Sequence, residues 1–177
     1  MNFVVIQNVV KNMSERGDFG KTSGECNLTV SKDSPFVEAV GAIDDFQARL
    51  GHARVLLEGG EKQTIFQVEK DLTEIMGSFY KSVDWENGKK RLGEIDDEVE
   101  EYRKRVKNLN NFLVPGENEI ESRINLCRTG CRIAERRVVG LKNDREEIQG
   151  KEFDQNVLKY FNRLSTFLYF MWRSKLE

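Results

Sequence analysis

From Pro35 onward, apolar residues recur every three or four positions. Phe36, Val40, Ile43, Phe46, Leu50, Ala53 and Leu57 predict a first amphipathic helix, ended by Gly59 and Gly60. Ile65, Val68, Leu72, Ile75 and Phe79 share one face of a second. Leu92, Ile95, Val99, Tyr102, Val106 and Leu109 predict a third, whose other face is crowded with charge and reads as solvated. NNFLVPGENE then breaks the period at Phe112, Pro115 and Gly116. A fourth helix is expected from about Glu117, and a fifth from about Asp154 through Val157, Leu158, Phe161, Leu164, Leu168 and Met171. The expectation is an all-α five-helix bundle within one domain.

Residues 1–35 differ in kind and are expected to form a separate segment ahead of the bundle at 36–177. The apolar run FVVIQNVV suits a short strand or a disordered lead-in. SERGDFGKTSGECNLTVSKDSP, which follows, is rich in Gly, Ser, Thr and Asp and has no helical period, so it reads as irregular loop.

Composition supports this outline. Of 177 residues, 38% are hydrophobic and 33% charged, a mixture that suits helices with solvated outer faces. The formal net charge of −2 lacks the basic footprint of a nucleic-acid binder, which makes any arginine cluster a local feature. No segment approaches the roughly 20 apolar residues that span a bilayer. The opening MNFVVIQNVV has no basic lead and no small-residue cleavage site. A cytoplasmic protein with neither membrane nor nucleic-acid partners is expected.

The arginine cluster exists. In LCRTGCRIAERRVVGL, Arg128, Arg132 and Arg136 fall four apart on one stripe of the fourth helix. Like charges at that spacing repel by a few tenths of a kcal/mol per pair, and Glu135 answers only part of it. Such a stripe needs an anionic ligand or partner carboxylates. Asp44 follows the core-facing Ile43 and is one candidate to reach an arginine on a neighbouring helix. Asn162 and Arg163 interrupt the apolar face of the fifth helix and there would need polar partners.

Other chemistry is poorly supplied. GDFGKTSG contains Gly-Lys-Thr, but Glu15 stands where a P-loop requires its first glycine, and no helix is expected to open at the lysine. A looser cradle of backbone N–H groups and hydroxyls, with Lys21 nearby, survives that objection. Cys127 and Cys131 share a helix face with no second cysteine pair, and His52 is the single histidine, so a closed soft-metal site is not expected. Both thiols read as packed.

Five blocks in order resemble the ATP:cob(I)alamin adenosyltransferases of the propanediol-utilisation type. They are SERGDFGKTS with the following SKDSP, VEAVGAIDD, NFLVPGE, CRTGCRIAERRVV and VLKYFNRLST, spread over residues 14–166. The resemblance implies a ferritin-like five-helix bundle that assembles as a homotrimer, with sites between subunits. It implies an enzyme moving the 5′-deoxyadenosyl group of ATP, with Mg²⁺, to the Co(I) of cobalamin. Ser14, Glu15, Arg16, Gly17, Asp18, Gly20, Thr22, Ser23 and Lys32 would surround the nucleotide. Arg132, Glu135, Arg136 and Asn162 would hold it from the fourth and fifth helices. Arg128 would pair with Asp44 across the interface, and Phe112 would press on the lower face of the corrin. A flavoprotein reductase and a B12-dependent enzyme are the protein partners implied. The chain departs from the family pattern at Glu15, Phe19, Asp45, Gln47, Glu117, Ile133 and Thr166. The alternative these departures leave open is a weakened relative acting as a cobalamin- or ATP-binding chaperone or sensor.

Overall fold

The computed structural model describes residues 17–106, 113–150 and 152–176. Within them lie five α-helices: α1 Pro35–Arg54, α2 Gly59–Lys81, α3 Gly88–Arg105, α4 Glu119–Asn143 and α5 Gln155–Ser174. Periodicity located each of them, and the ends are set by caps. Ser34 accepts from the Val37 N–H at the start of α1, with Pro35 in the first turn. Asn118 caps α4 and Asp154 caps α5 through their side-chain oxygens.

Two boundaries differ from expectation. Gly59 and Gly60 do not end α1; it stops at Arg54, and the glycines open α2 after a short turn. The third helix ends at Arg105, leaving Val106 buried but outside it, while Leu109 lies outside the described residues.

The larger difference is near the N-terminus. Residues 17–34 are not an irregular loop throughout. β1 (Lys21–Ser23) pairs antiparallel with β2 (Thr29–Ser31) in a small hairpin closed by a 3-10 turn at Glu25–Asn27. Its strands were hidden because they are three residues long and mostly exposed, giving no apolar alternation to detect. The run at residues 3–10 lies outside the described residues.

α4 is the central helix, packed along α1 on one side and α5 on the other. Both neighbours run antiparallel to it. Glu38 meets Arg137 near one end of the α1 contact and the His52 carbonyl meets Arg123 near the other. Gly130 lets α1 come close, since a Cβ there would lie 2.8 Å from Arg49 Cδ. α5 is buried on most of its circumference, with Tyr160, Phe161, Leu164, Phe167, Leu168 and Met171 fully enclosed. Cys127 and Cys131 are packed, as expected: their thiols meet the backbone carbonyls of Arg49 and Phe161.

One charged cluster is built into the core between α2, α3 and α5. Asp71, fully buried, accepts from Arg91 Nε at 2.8 and 2.9 Å, from Gln67 at 3.1 Å and from the Tyr160 hydroxyl at 2.5 Å. A buried carboxylate is tolerable only with such a set of donors.

Candidate functional site

The arginine stripe separates into an answered part and an open part. Arg128 Nε donates to Asn125 Oδ1 at 3.0 Å, and its guanidinium lies 5.6 Å from the Trp172 ring on α5. Partial burial, and after it the charge of Arg132, lower its pKa. Arg132 and Arg136 are exposed and have no polar partner among the described residues. Arg137, next along, faces the other way and pairs with Glu38 at 3.3 Å. Thus two guanidinium groups on one exposed line of α4 are left with unused donors. Glu135, half-buried beside them, also has no partner among the described residues.

Asn162 joins this region from α5. Cys131 meets the Phe161 carbonyl and the helices are antiparallel, so Asn162 stands about level with Gly130 and Cys131, within a turn of Arg132 along the axis. Contrary to the sequence expectation, Asn162 and Arg163 do not intrude on the apolar face; both are exposed. Arg163 bridges to Asp96 on α3 at 2.9 Å and touches Asn162 Oδ1 at 3.1 Å, leaving the Asn162 amide N–H groups open.

The hairpin carries the second group of candidates. Residues 17–20 form a turn with Gly20 at φ +69°, and the Lys32 N–H closes it onto the Gly20 carbonyl at 2.9 Å. Thr22 is half-buried in β1, while Asp18, Ser23 and Lys32 are exposed. β1 occupies the position where a P-loop would start its helix, so that motif is absent in structure as in sequence. Ser14, Glu15, Arg16 and Phe112 lie outside the described residues.

Two expected juxtapositions do not occur within one chain. No hydrogen bond or ion pair among the described residues joins the hairpin candidates to Arg128, Arg132, Arg136 or Asn162. Asp44 is exposed on α1 and makes no contact with Arg128. Two cavities among the described residues lie elsewhere as well. One, of about 500 Å³, runs between α2 and α3 past Gln67, Arg91, Glu94 and Glu98. Another, of about 410 Å³, lies by Glu74 and Trp85. Their acidic linings do not suit a polyphosphate, and the arginine stripe borders neither.

Sequence reasoning overlooked Glu121. It is fully buried, accepts from the Trp172 indole N–H, and accepts from the backbone N–H of Gly116 at 2.8 Å and of Glu117 at 3.2 Å. Its own N–H donates to Asn118 Oδ1 at 2.9 Å. The Pro115–Gly116 turn, the start of α4 and the end of α5 are thereby fastened to one carboxylate, beneath the same Trp172 that carries Arg128. The spacing Asn118-x-x-Glu121 was a readable capping signal. The Trp172 link was not readable.

Among the described residues no three His, Cys, Asp or Glu side chains gather as a metal site, and His52 is exposed on α1.

Fold and site together define a helical bundle with a hydroxyl-rich hairpin and an exposed arginine stripe. The sequence matches the cobalamin adenosyltransferase family over residues 13–175, and the chain belongs to that family. Corrinoid adenosyltransferase MMAB of Bos taurus is 29% identical over 179 residues, covering 93% of this chain and 71% of that protein. The Homo sapiens MMAB is 30% identical over 179 residues, covering 93% and 68%. A variant of the PduO-type ATP:corrinoid adenosyltransferase from Lactobacillus reuteri, complexed with cobalamin and ATP, superposes with a TM-score of 0.80. At 20% identity it covers 92% of this chain and 89% of that one, and it shares the five-helix fold.

Proposed function

We propose that this protein transfers the 5′-deoxyadenosyl group of ATP to the Co(I) of a corrinoid, releasing inorganic triphosphate. One observation carries the reading beyond family membership. Arg137, Arg145 and Arg163 are each paired with a carboxylate, while Arg132 and Arg136 stand exposed and without an ion pair among the described residues, on one line of a protein with net charge −2. Guanidinium groups bind phosphate oxygens in a planar, bidentate manner, and a triphosphate would answer both.

The reaction needs no protein base. Co(I) supplies the electron pair that forms the cobalt–carbon bond, and the C5′–O bond breaks with its pair leaving on triphosphate. The protein's share is to position C5′ and to stabilise the charge that builds on the leaving group. Arg132, Arg136, Glu135 and Asn162 serve that end from α4 and α5. Thr22, Ser23, Lys32 and the turn at Gly17, Asp18 and Gly20 serve it from the hairpin, with Ser14, Glu15 and Arg16 ahead of them. Mg²⁺ would be held chiefly by phosphate oxygens and water, its usual arrangement. Phe112 would exclude an axial ligand beneath the corrin and so ease reduction to Co(I).

In this reading the hairpin and the stripe meet between copies of the chain in a homotrimer, with Asp44 of one facing Arg128 of the next. That no hydrogen bond or ion pair among the described residues joins the hairpin to the stripe within one chain is consistent with that arrangement. Arg132→Ala should weaken ATP binding by about 10- to 100-fold, the worth of a hydrogen bond to a charged group. Arg137→Ala should leave binding within about twofold. Equilibrium dialysis with ATP and Mg²⁺ decides it, and equal losses in the two variants would remove the assigned role of the stripe.

A further inference from the structure

The hairpin has little to hold it in place by itself. It has three paired positions, its strand side chains are mostly exposed, and a ribbon of that size is not stable alone. Its turn is also costly. Cys26 and Asn27 both sit in the left-handed region, at φ 50° and 61°; asparagine tolerates this conformation, but for Cys26 it is strained and must be imposed by its surroundings. Gly24 is needed where β2 crosses closely, since a Cβ there would lie 2.7 Å from a Val30 methyl.

The surroundings that impose this shape are specific. Glu25, in the turn, is only 7% exposed and faces Arg145, 5% exposed, at 3.3 Å. The same Arg145 Nη2 donates to the Phe79 carbonyl at the end of α2 at 3.0 Å. The guanidinium also lies 5.5 and 5.7 Å from the Phe79 and Phe153 rings. The Cys26 thiol adds a weak contact to the Lys81 carbonyl at 3.9 Å. Arg145 is presented by the π-helical turn Asp144–Ile148, which continues α4. A π turn inserts a residue into the helical repeat and re-aims the side chains that follow, and such turns recur at functional sites.

We infer that Glu25 and Arg145 form a positioning pair that fixes the hairpin, and with it Thr22, Ser23 and Lys32, in register to receive the nucleotide phosphates. The inference rests on the phosphate role proposed above for the hairpin. Neither residue touches the phosphates in this account. Both act by fixing the backbone that does. Since α4 carries the stripe and ends in the Arg145 turn, one helix supplies phosphate-binding side chains and also anchors the hairpin.

Glu25→Gln keeps the shape and removes the charge. Two readouts separate positioning from simple loss of fold. Hydrogen exchange at the Gly24 and Lys32 amides, both hydrogen-bonded within the hairpin, should speed up at least tenfold, while α4 and α5 amides keep their protection. In turnover with chemically supplied Co(I), KM for ATP should rise at least tenfold, with kcat at saturating ATP within about twofold. Arg145→Lys keeps the charge but loses the stacking on two rings, and should show the same split at smaller size. Unchanged KM in a variant of a wild-type protein that binds ATP would overturn the positioning role. So would a fall in kcat that accompanies lost protection throughout the helices. A released hairpin in a protein whose wild type never binds ATP would overturn the phosphate reading itself, and this role with it.

Discussion

At the scale of single residues, burial decides which groups can react. Cys127 is buried, and that desolvation pushes its thiol up to about 12; Cys131, fully enclosed, moves well above its usual value for the same reason. Tyr160, buried against Asp71, moves up as well. Each is held neutral by folding, and each ionises more easily once unfolded. A raised folded pKa contributes stability that is complete below the unfolded value and is lost as pH rises toward the folded one. Stability should therefore be level from neutral pH to about 8, then fall progressively, approaching about 1.4 kcal/mol per pH unit for each group titrating only in the unfolded chain. Urea unfolding at pH 7, 9 and 10.5 measures this. A flat profile to pH 10.5 would contradict the assigned burial of the thiols.

At the scale of elements, the ends of helices hold the loops that surround the site. Glu121 shows how: one carboxylate binds two backbone N–H groups of the Pro115–Gly116 turn and the indole of α5. Glu121→Gln should cost about 1–3 kcal/mol, because a charged acceptor with several buried donors becomes a neutral amide with one oxygen. A change below about 0.5 kcal/mol in urea unfolding would show that the turn is held by other means. The helices were legible because each has a long apolar stripe with polar breakers between. The hairpin was not, since its three-residue strands are shaped by a tertiary ion pair rather than by alternation. The glycines after α1 misled for a related reason: Gly-Gly marks a break without saying which side of it begins the next helix.

At the scale of the whole molecule, the residues proposed to face phosphate were named from sequence by type and order, and no hydrogen bond or ion pair among the described residues joins the hairpin set to the stripe of α4. Arg132 and Asn162 lie on adjacent helices because α4 and α5 pack antiparallel, with Cys131 against Phe161. Among the described residues the hairpin set and Asp44 make no hydrogen bond or ion pair with them, and pairings between copies are beyond what a single chain's periodicity reveals. Glu25 and Arg145 were invisible in sequence, being charges of ordinary appearance 120 positions apart that only burial singles out. No described helix is long and apolar enough to cross a membrane. The most direct test of the account is an anaerobic absorbance assay with purified protein, chemically reduced cob(I)alamin, ATP and Mg²⁺. The account predicts ATP-dependent formation of light-sensitive adenosylcobalamin together with inorganic triphosphate. Protein that is folded and binds both ATP and corrinoid, yet forms no adenosylcobalamin, would contradict it.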